Sequence, residues 1–309
     1  MRTLPSRRGF MALAAALAAA GPAGAAPPRV EVNEDGLVAR FYPAAAPAGR
    51  RKAAVLMLGG SGGGYPYNDA AADLAAAGYP TLGLAYFSNR GGQPKGLPPA
   101  LSEIPLEYMF QGVDWLRKAA SGGPVVVMGE SRGGELALLV AAHRPDLAGV
   151  VAFSPSEAVW AALAPGPRKS SWTLGGKPLP FLIPQEAPGD MRAMFDTALD
   201  APPATLAAAM IPVEQIRGPI LMISSHADRL WPSSRMANDV EARLKRLRHR
   251  GKVENRQYDN ASHLLMGFGP ADTDFAYGDY VMHFGGTAEG TLAARTDAWA
   301  HAKAWLAAI

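Results

Sequence analysis

Cysteine is absent from this chain, which excludes disulfides, cysteine-based metal sites, a cysteine nucleophile and a lipid-anchored lipoprotein. No apolar run is long and unbroken enough to read as a spanning helix. No Gly-Lys-Ser/Thr phosphate loop, EF-hand loop or internal repeat is present. Acidic residues are missing from the first 25 positions, where Arg2, Arg7 and Arg8 lie. The formal charge of +3 therefore resides in that segment, and the remainder carries 27 basic and 27 acidic residues. That balance removes the charge argument for nucleic-acid or membrane binding.

The start of the chain has its own logic. Ser6-Arg7-Arg8-Gly9-Phe10-Met11 precedes the mildly apolar Ala12 to Ala20, then Gly21-Pro22 and Ala23-Gly24-Ala25. Twin arginines, a weakly apolar stretch and a small-x-small end mark a Tat-type export signal over residues 1–25. The expected partner is the Tat export machinery, and the expected location is the periplasm or the exterior. Alanine-rich, short and broken by Gly-Pro, the segment makes a poor membrane anchor. Residues 26–309 are then expected to form one domain, long enough for a single large core.

The most informative stretch is Gly129-Glu130-Ser131-Arg132-Gly133. It follows the apolar run Pro124 to Met128 and opens into Glu135-Leu136-Ala137-Leu138-Leu139-Val140. Strand, Gly-x-Ser-x-Gly, helix is the context of a nucleophile elbow, which makes Ser131 the candidate nucleophile. In that architecture an acid and then a histidine follow along the chain. Asp228 falls just past the apolar run Ile220 to Ile223, and His263 just past the strand-like Val253 to Tyr258. Loops after parallel strands gather at the carboxyl edge of a sheet, so the three can meet. His226 is the rival base, although it precedes the acid, and Asp259 is the rival acid.

An oxyanion hole needs backbone N–H donors where charge develops. Arg132, next after the nucleophile, supplies one candidate amide. The loop Gly59-Gly60-Ser61-Gly62-Gly63-Gly64, after the apolar Ala54 to Leu58, supplies the other. Gly60, Ser61 and Gly62 are not separable at this level. No metal ligand set or cofactor is indicated by spacing.

The rest of the chain alternates. A hairpin is signalled at Asp35-Gly36, between strands near 30–32 and 38–41. Strands at 54–58, 80–86, 148–153 and 219–223 alternate with helices near 68–78, 105–118, from 233 and from 287. Met236, Val240, Leu244 and Leu247 have helical spacing, as do Leu292, Trp299, Ala302 and Leu306. The expected fold is α/β, a mostly parallel sheet covered by helices. Between Pro155 and Ile211 the pattern loosens, and a cap insertion is expected there, with an irregular connection as the alternative.

The chain resembles the bile acid-CoA:amino acid N-acyltransferase and acyl-CoA thioesterase family, with dienelactone hydrolases as wider relatives. The matching text includes Leu84-Ala85-Tyr86-Phe87, Leu106-Glu107-Tyr108, Gly129 to Leu136 and Ile211-Pro212-Val213-Glu214. It continues through Asp228-Arg229-Leu230-Trp231, Ser262-His263, and Gly285-Gly286-Thr287 leading to Asp297-Ala298-Trp299. The resemblance implies an α/β-hydrolase fold and places nucleophile, acid and base on Ser131, Asp228 and His263. It also implies acyl-CoA thioesters as substrates, with an exported carboxylic ester hydrolase as the alternative and a non-catalytic binding protein as a lesser one. Arg132, Arg168, Lys169, Lys177 and Arg229 are then candidates for a phosphate-binding patch. Two departures stand out. Too few residues separate the expected export signal from the hydrolase landmarks for the immunoglobulin-like domain of eukaryotic members, and serine stands where amidating members use cysteine.

Overall fold

The computed structural model describes residues 28–44, 52–187, 190–277 and 280–309. The expected export signal, residues 1–25, lies outside them. In chain order the elements are β1 (Val30–Glu34), β2 (Leu37–Tyr42), β3 (Ala54–Leu58), α1 (Asn68–Ala76), β4 (Thr81–Ala85), β5 (Ile104–Pro105) and α2 (Leu106–Ala119). Next come β6 (Val125–Glu130), α3 (Arg132–His143), β7 (Gly149–Phe153), β8 (Trp172–Leu174), β9 (Lys177–Pro178), α4 (Met191–Leu199) and α5 (Pro203–Ala209). The chain closes with β10 (Ile220–Ser225), α6 (Ser233–Arg246), β11 (Val253–Tyr258), β12 (Asp274–Tyr277), β13 (Tyr280–His283) and α7 (Ala288–Ala307).

Eight strands form one sheet in the order β1-β2-β4-β3-β6-β7-β10-β11. β1 and β2 make the expected hairpin and join antiparallel to β4, while the pairs from β4 to β11 are parallel. The central strands are apolar without alternation because helices cover both faces. Residues nevertheless divide by parity. Leu56, Val127, Val150 and Met222 pack on one face with α2, α3 and α6. Met57, Met128, Val151 and Ile223 pack on the other, with α1 and α7.

Two helical expectations need correction. Leu247 is 49% exposed and Leu292 41% exposed, whereas the other members of both stripes are buried. Leu247 is the C-cap residue of α6 and lies beyond its last packed turn. The buried stripe of α7 runs through Thr291, Ala294, Arg295, Ala298 and Trp299. Leu292 is one position, about 100° around the helix, off that line.

Segment 155–211 holds more regular structure than its sequence pattern shows. It contains β8, β9, α4 and α5, and β8 joins β5 and β9 in a small second sheet. Ala158, Trp160, Leu182, Leu199 and Ala209 form a third apolar cluster with Trp231 and Met236. The insertion thus has a core of its own, fixed to α6 by Met236.

β3 leads to β4 on one side, whereas β6 leads to β7 on the other. Connections part between β3 and β6, and such a switch point leaves a crevice at the carboxyl ends of the strands. The glycine-rich loop after β3 and Ser131 after β6 flank that crevice.

Candidate active site

Ser131 sits between β6 and α3 with φ 60° and ψ −125°, a conformation outside the ordinary regions for a side-chain-bearing residue. The motif's glycines make this turn feasible. A Cβ on Gly129 would lie 2.1 Å from the Gly133 carbonyl oxygen, and one on Gly133 would lie 2.4 Å from that of Gly59. On Gly134 it would meet the Phe153 carbonyl oxygen at 2.6 Å. The Ser131 N–H donates to the Phe153 carbonyl at 3.0 Å, which ties the elbow to β7.

Asp228 follows β10 and His263 follows β11, and both are buried. His263 Nδ1 lies 2.8 Å from Asp228 Oδ2. With the carboxylate as acceptor, the proton is on Nδ1 and Nε2 presents a lone pair. Asp228 is itself held firmly. Its Oδ1 accepts from the Leu230 and Trp231 amides at 2.9 and 3.2 Å, and its Oδ2 accepts from Ser233 Oγ at 2.6 Å. Burial works against a charged His263, but the adjacent Asp228 carboxylate outweighs it and raises the imidazole pKa. His263 Nε2 is buried and makes no hydrogen bond to a protein group. His263 lines a chamber together with Ser131. The rivals do not enter: His226 and Asp259 are both exposed.

Glu130 and Arg132, on either side of the serine, are buried and reach in different directions. Glu130 Oε1 accepts from the Leu265 and Met266 amides at 2.5 and 2.6 Å, and Tyr67 Oη donates to Oε2. The carboxylate therefore fixes the loop that carries His263, and burial raises its pKa. Arg132 Nη1 lies 2.7 Å from Glu135 Oε2, while Nη2 donates to the Trp160 and Ala161 carbonyls and to Ser171 Oγ. Glu135 Oε1 accepts from Trp172 Nε1 at 2.6 Å. This buried pair holds the 155–211 insertion onto α3.

Gly60 backs directly onto Ser131, whose Cβ would lie 3.3 Å from one built on the glycine. Ser61 and Gly62 are more exposed and line the site with Ser131. Tyr86 Oη donates to the Gly59 carbonyl and fixes the start of this loop. The Arg132 amide belongs to the first turn of α3, where N–H groups have no intrahelical acceptor. Of the four positions named for an oxyanion hole, Arg132 adjoins the serine in the chain, Gly60 lies against it, and Ser61 and Gly62 line the same chambers.

Two chambers open from Ser131. The first, about 370 Å³, is apolar, with Trp160, Leu163, Met191 and Phe195 of the insertion facing Leu101 and Trp231. The second, about 620 Å³, is bounded by the glycine-rich loop, Tyr65, His263, Phe275 and Phe284. Phe275 and Met282 come from the β12–β13 hairpin, which the sequence reading missed. Its signal was the pair Gly278-Asp279 between short alternating runs. The candidates for a phosphate patch do not gather along the chambers. Arg132 is buried in its ion pair, and Arg168, Lys169, Lys177 and Arg229 line neither chamber. Lys169 pairs instead with Glu103. Among the described residues, no group of three His, Asp or Glu side chains is placed to hold a metal ion, and no helix is long and apolar enough to cross a membrane.

The family model described as BAAT / Acyl-CoA thioester hydrolase C terminal matches residues 104–308. Comparison with curated proteins gives no match. Among solved structures, a putative dienelactone hydrolase from Klebsiella pneumoniae subsp. pneumoniae aligns with a TM-score of 0.53 at 16% identity. That alignment covers 91% of this chain and 97% of the other. Pyrococcus horikoshii acylaminoacyl peptidase gives 0.52 at 13% identity, over 85% of this chain and 40% of that one. A Mycobacterium tuberculosis puromycin-hydrolyzing peptidase gives 0.51 at 13%, over 77% and 36%. The chain thus spans well under half the length of either peptidase. At these identities the likeness is one of fold, and that fold is the α/β-hydrolase.

Proposed function

This chain belongs to the BAAT / acyl-CoA thioester hydrolase C-terminal family, and from that premise we propose a serine hydrolase that cleaves acyl thioesters or esters. Ser131 Oγ attacks the acyl carbonyl while His263 Nε2 takes its proton. Amides of Arg132 and of the Gly60–Gly62 segment receive the developing oxyanion. The tetrahedral intermediate collapses, His263 protonates the departing thiol or alcohol, and an acyl-Ser131 ester remains. Water, deprotonated by His263, then releases the acid and restores the serine. Asp228 holds the ring and stabilises the imidazolium in both half-reactions.

The observation that carries this reading is the buried Asp228–His263 pair: His263 leaves its Nε2 unbonded and lines one chamber with Ser131. The Nε2–Oγ hydrogen bond itself is not made here, and such bonds commonly tighten only when substrate is bound. The family's name favours a CoA thioester. A carboxylic ester is favoured by the site itself, because Arg90 and the ion-paired Arg132 are the cations among the described lining residues. Activity of the purified protein on thioesters and esters with matched acyl chains separates the two. Ser131→Ala should abolish turnover of whichever is cleaved; undiminished turnover by that variant would overturn the mechanism.

The proposed location is outside the cytoplasm, reached through Arg7-Arg8 as a Tat signal. Fractionation should place the wild type there and hold an Arg7→Lys, Arg8→Lys variant in the cytoplasm. A cytoplasmic wild type would refute export.

A further inference from the structure

Ser131 lines both chambers, but His263 lines only the second. The chemistry turns that asymmetry into a direction. In the first half-reaction the histidine must hand its proton to the leaving atom, so the leaving group lies on the histidine's side of the scissile bond. The acyl group then extends the other way, into the first chamber.

The walls of the second chamber describe what leaves. Tyr65, Tyr67, Phe275 and Phe284 supply four aromatic side chains, and Leu264 and Met282 add apolar surface. Among its described lining residues no carboxylate appears, and Arg90 is the one cationic side chain apart from the catalytic imidazole. A leaving group with several phosphates would need a cluster of cations to replace its hydration. Rings and thioethers instead suit a flat, uncharged group.

The strand hairpin is placed to judge that group. Phe284, directly after β13, accepts from the His263 amide at 2.9 Å and the Arg229 amide at 3.2 Å. Asp228 and Gly285 form an isolated β-bridge. The hairpin therefore springs from the backbone that joins the acid loop to the base loop. Phe275 is 42% exposed at the chamber wall, so apolar surface is left for a ligand to cover.

Resting on the hydrolase reading above, we propose that the second chamber receives the leaving group, that this group is an uncharged aromatic alcohol or thiol, and that Phe275 of the hairpin selects it.

The test is a matrix of kcat/KM values: acetyl, butyryl, hexanoyl and octanoyl chains, each on methanol, phenol, naphthol, thiophenol and CoA. Two variants are compared with the wild type, Phe275→Ala in the hairpin and Leu163→Ala in the first chamber. Both side chains are substantially exposed, so neither change threatens the core. Phe275→Ala should lower the selectivity for phenyl and naphthyl over methyl esters about five- to tenfold and leave the ranking of acyl chains unaltered. Leu163→Ala should alter the acyl ranking and leave the leaving-group ranking in place. The proposal is overturned if Phe275→Ala changes the acyl ranking, or if it changes neither ranking. Wild-type preference for CoA over thiophenyl esters of the same chain also overturns it, with the hydrolase reading intact. Failure at the deeper level looks different: no turnover of any substrate, and no phosphonate labelling that Ser131→Ala removes, defeats the mechanism and the proposal together.

Discussion

Asp228 and Glu130 are both buried carboxylates, yet their hydrogen bonds assign them different work. Asp228 spends one oxygen on amides of its own loop and the other on His263 Nδ1 and Ser233. An asparagine there can turn its NH₂ toward Nδ1 and impose the wrong tautomer, leaving Nε2 protonated. Asp228→Asn should therefore lower kcat about 10⁴-fold, while the exposed Asp259→Asn stays within about twofold. Steady-state kinetics of the two variants decide between them, and comparable losses would reassign the acid. Glu130 touches no reacting group. Glu130→Ala strands two amides and the Tyr67 hydroxyl, at about 1–3 kcal/mol for each group left unsatisfied. Urea denaturation should show a loss of several kcal/mol for alanine, with glutamine recovering part of it because its carbonyl still accepts from Leu265 and Met266. Equal stability of wild type and Glu130→Ala would mean that the loop carrying His263 is held by other contacts.

At the level of elements, the elbow is a matter of clearance. Gly133→Ala places a methyl 2.4 Å from the carbonyl oxygen of Gly59, just after β3, and 2.5 Å from that of Leu58, the last residue of β3. Neither can retreat without breaking the sheet, so this variant should fail to yield soluble folded protein. Gly62→Ala, with nothing within 4 Å, should match the wild-type melting temperature within about 2 °C. Circular dichroism checks both, and a well-folded Gly133→Ala would refute the packing described. The same clearance explains what was legible in the sequence. A tight strand-to-helix turn demands small residues at fixed offsets, so Gly129, Ser131 and Gly133 announce it. Chain order and apolar runs then locate Asp228 and His263 without any knowledge of distance. Glu130 and the side chains of Arg132 and Glu135 gave no such signal, because apart from the Arg132–Glu135 ion pair their partners lie 25 to 136 positions away and tertiary contact alone defines them. The insertion was legible only as an interruption. Its strands are two or three residues long and its helices nine and seven, too short for periodicity to register.

Across the whole molecule, the buried ionisable groups set stability against activity. Burial pushes the Glu157 carboxyl up to about 8, helped by Asp239 beside it. Burial likewise raises Glu135 to about 7 despite Arg132, and the direction is the same for Glu130. A carboxyl whose folded pKa exceeds its unfolded value of about 4.3 binds protons in the folded state that the unfolded chain has released. Its stabilising contribution is complete below that value and is lost as pH rises through the folded pKa. His263, also raised, behaves alike above its ordinary value of about 6.5. His143 and His249, lowered by burial, oppose this only below that value. Melting temperature should therefore fall between about pH 6.5 and 8.5. Glu157→Gln, which cannot ionise, should remove on the order of 1–3 kcal/mol of that decline. Activity is expected to run the other way, since in the proposed mechanism His263 must be neutral to accept the Ser131 proton and its raised pKa puts the acid limb of kcat/KM above about 6.5. The wild type is thus expected to gain turnover over the range in which its fold weakens. Glu157→Gln should separate the two, holding its melting temperature at pH 8 with the acid limb unmoved. A pH-independent wild-type melting temperature would show that these carboxyls ionise in place at little cost.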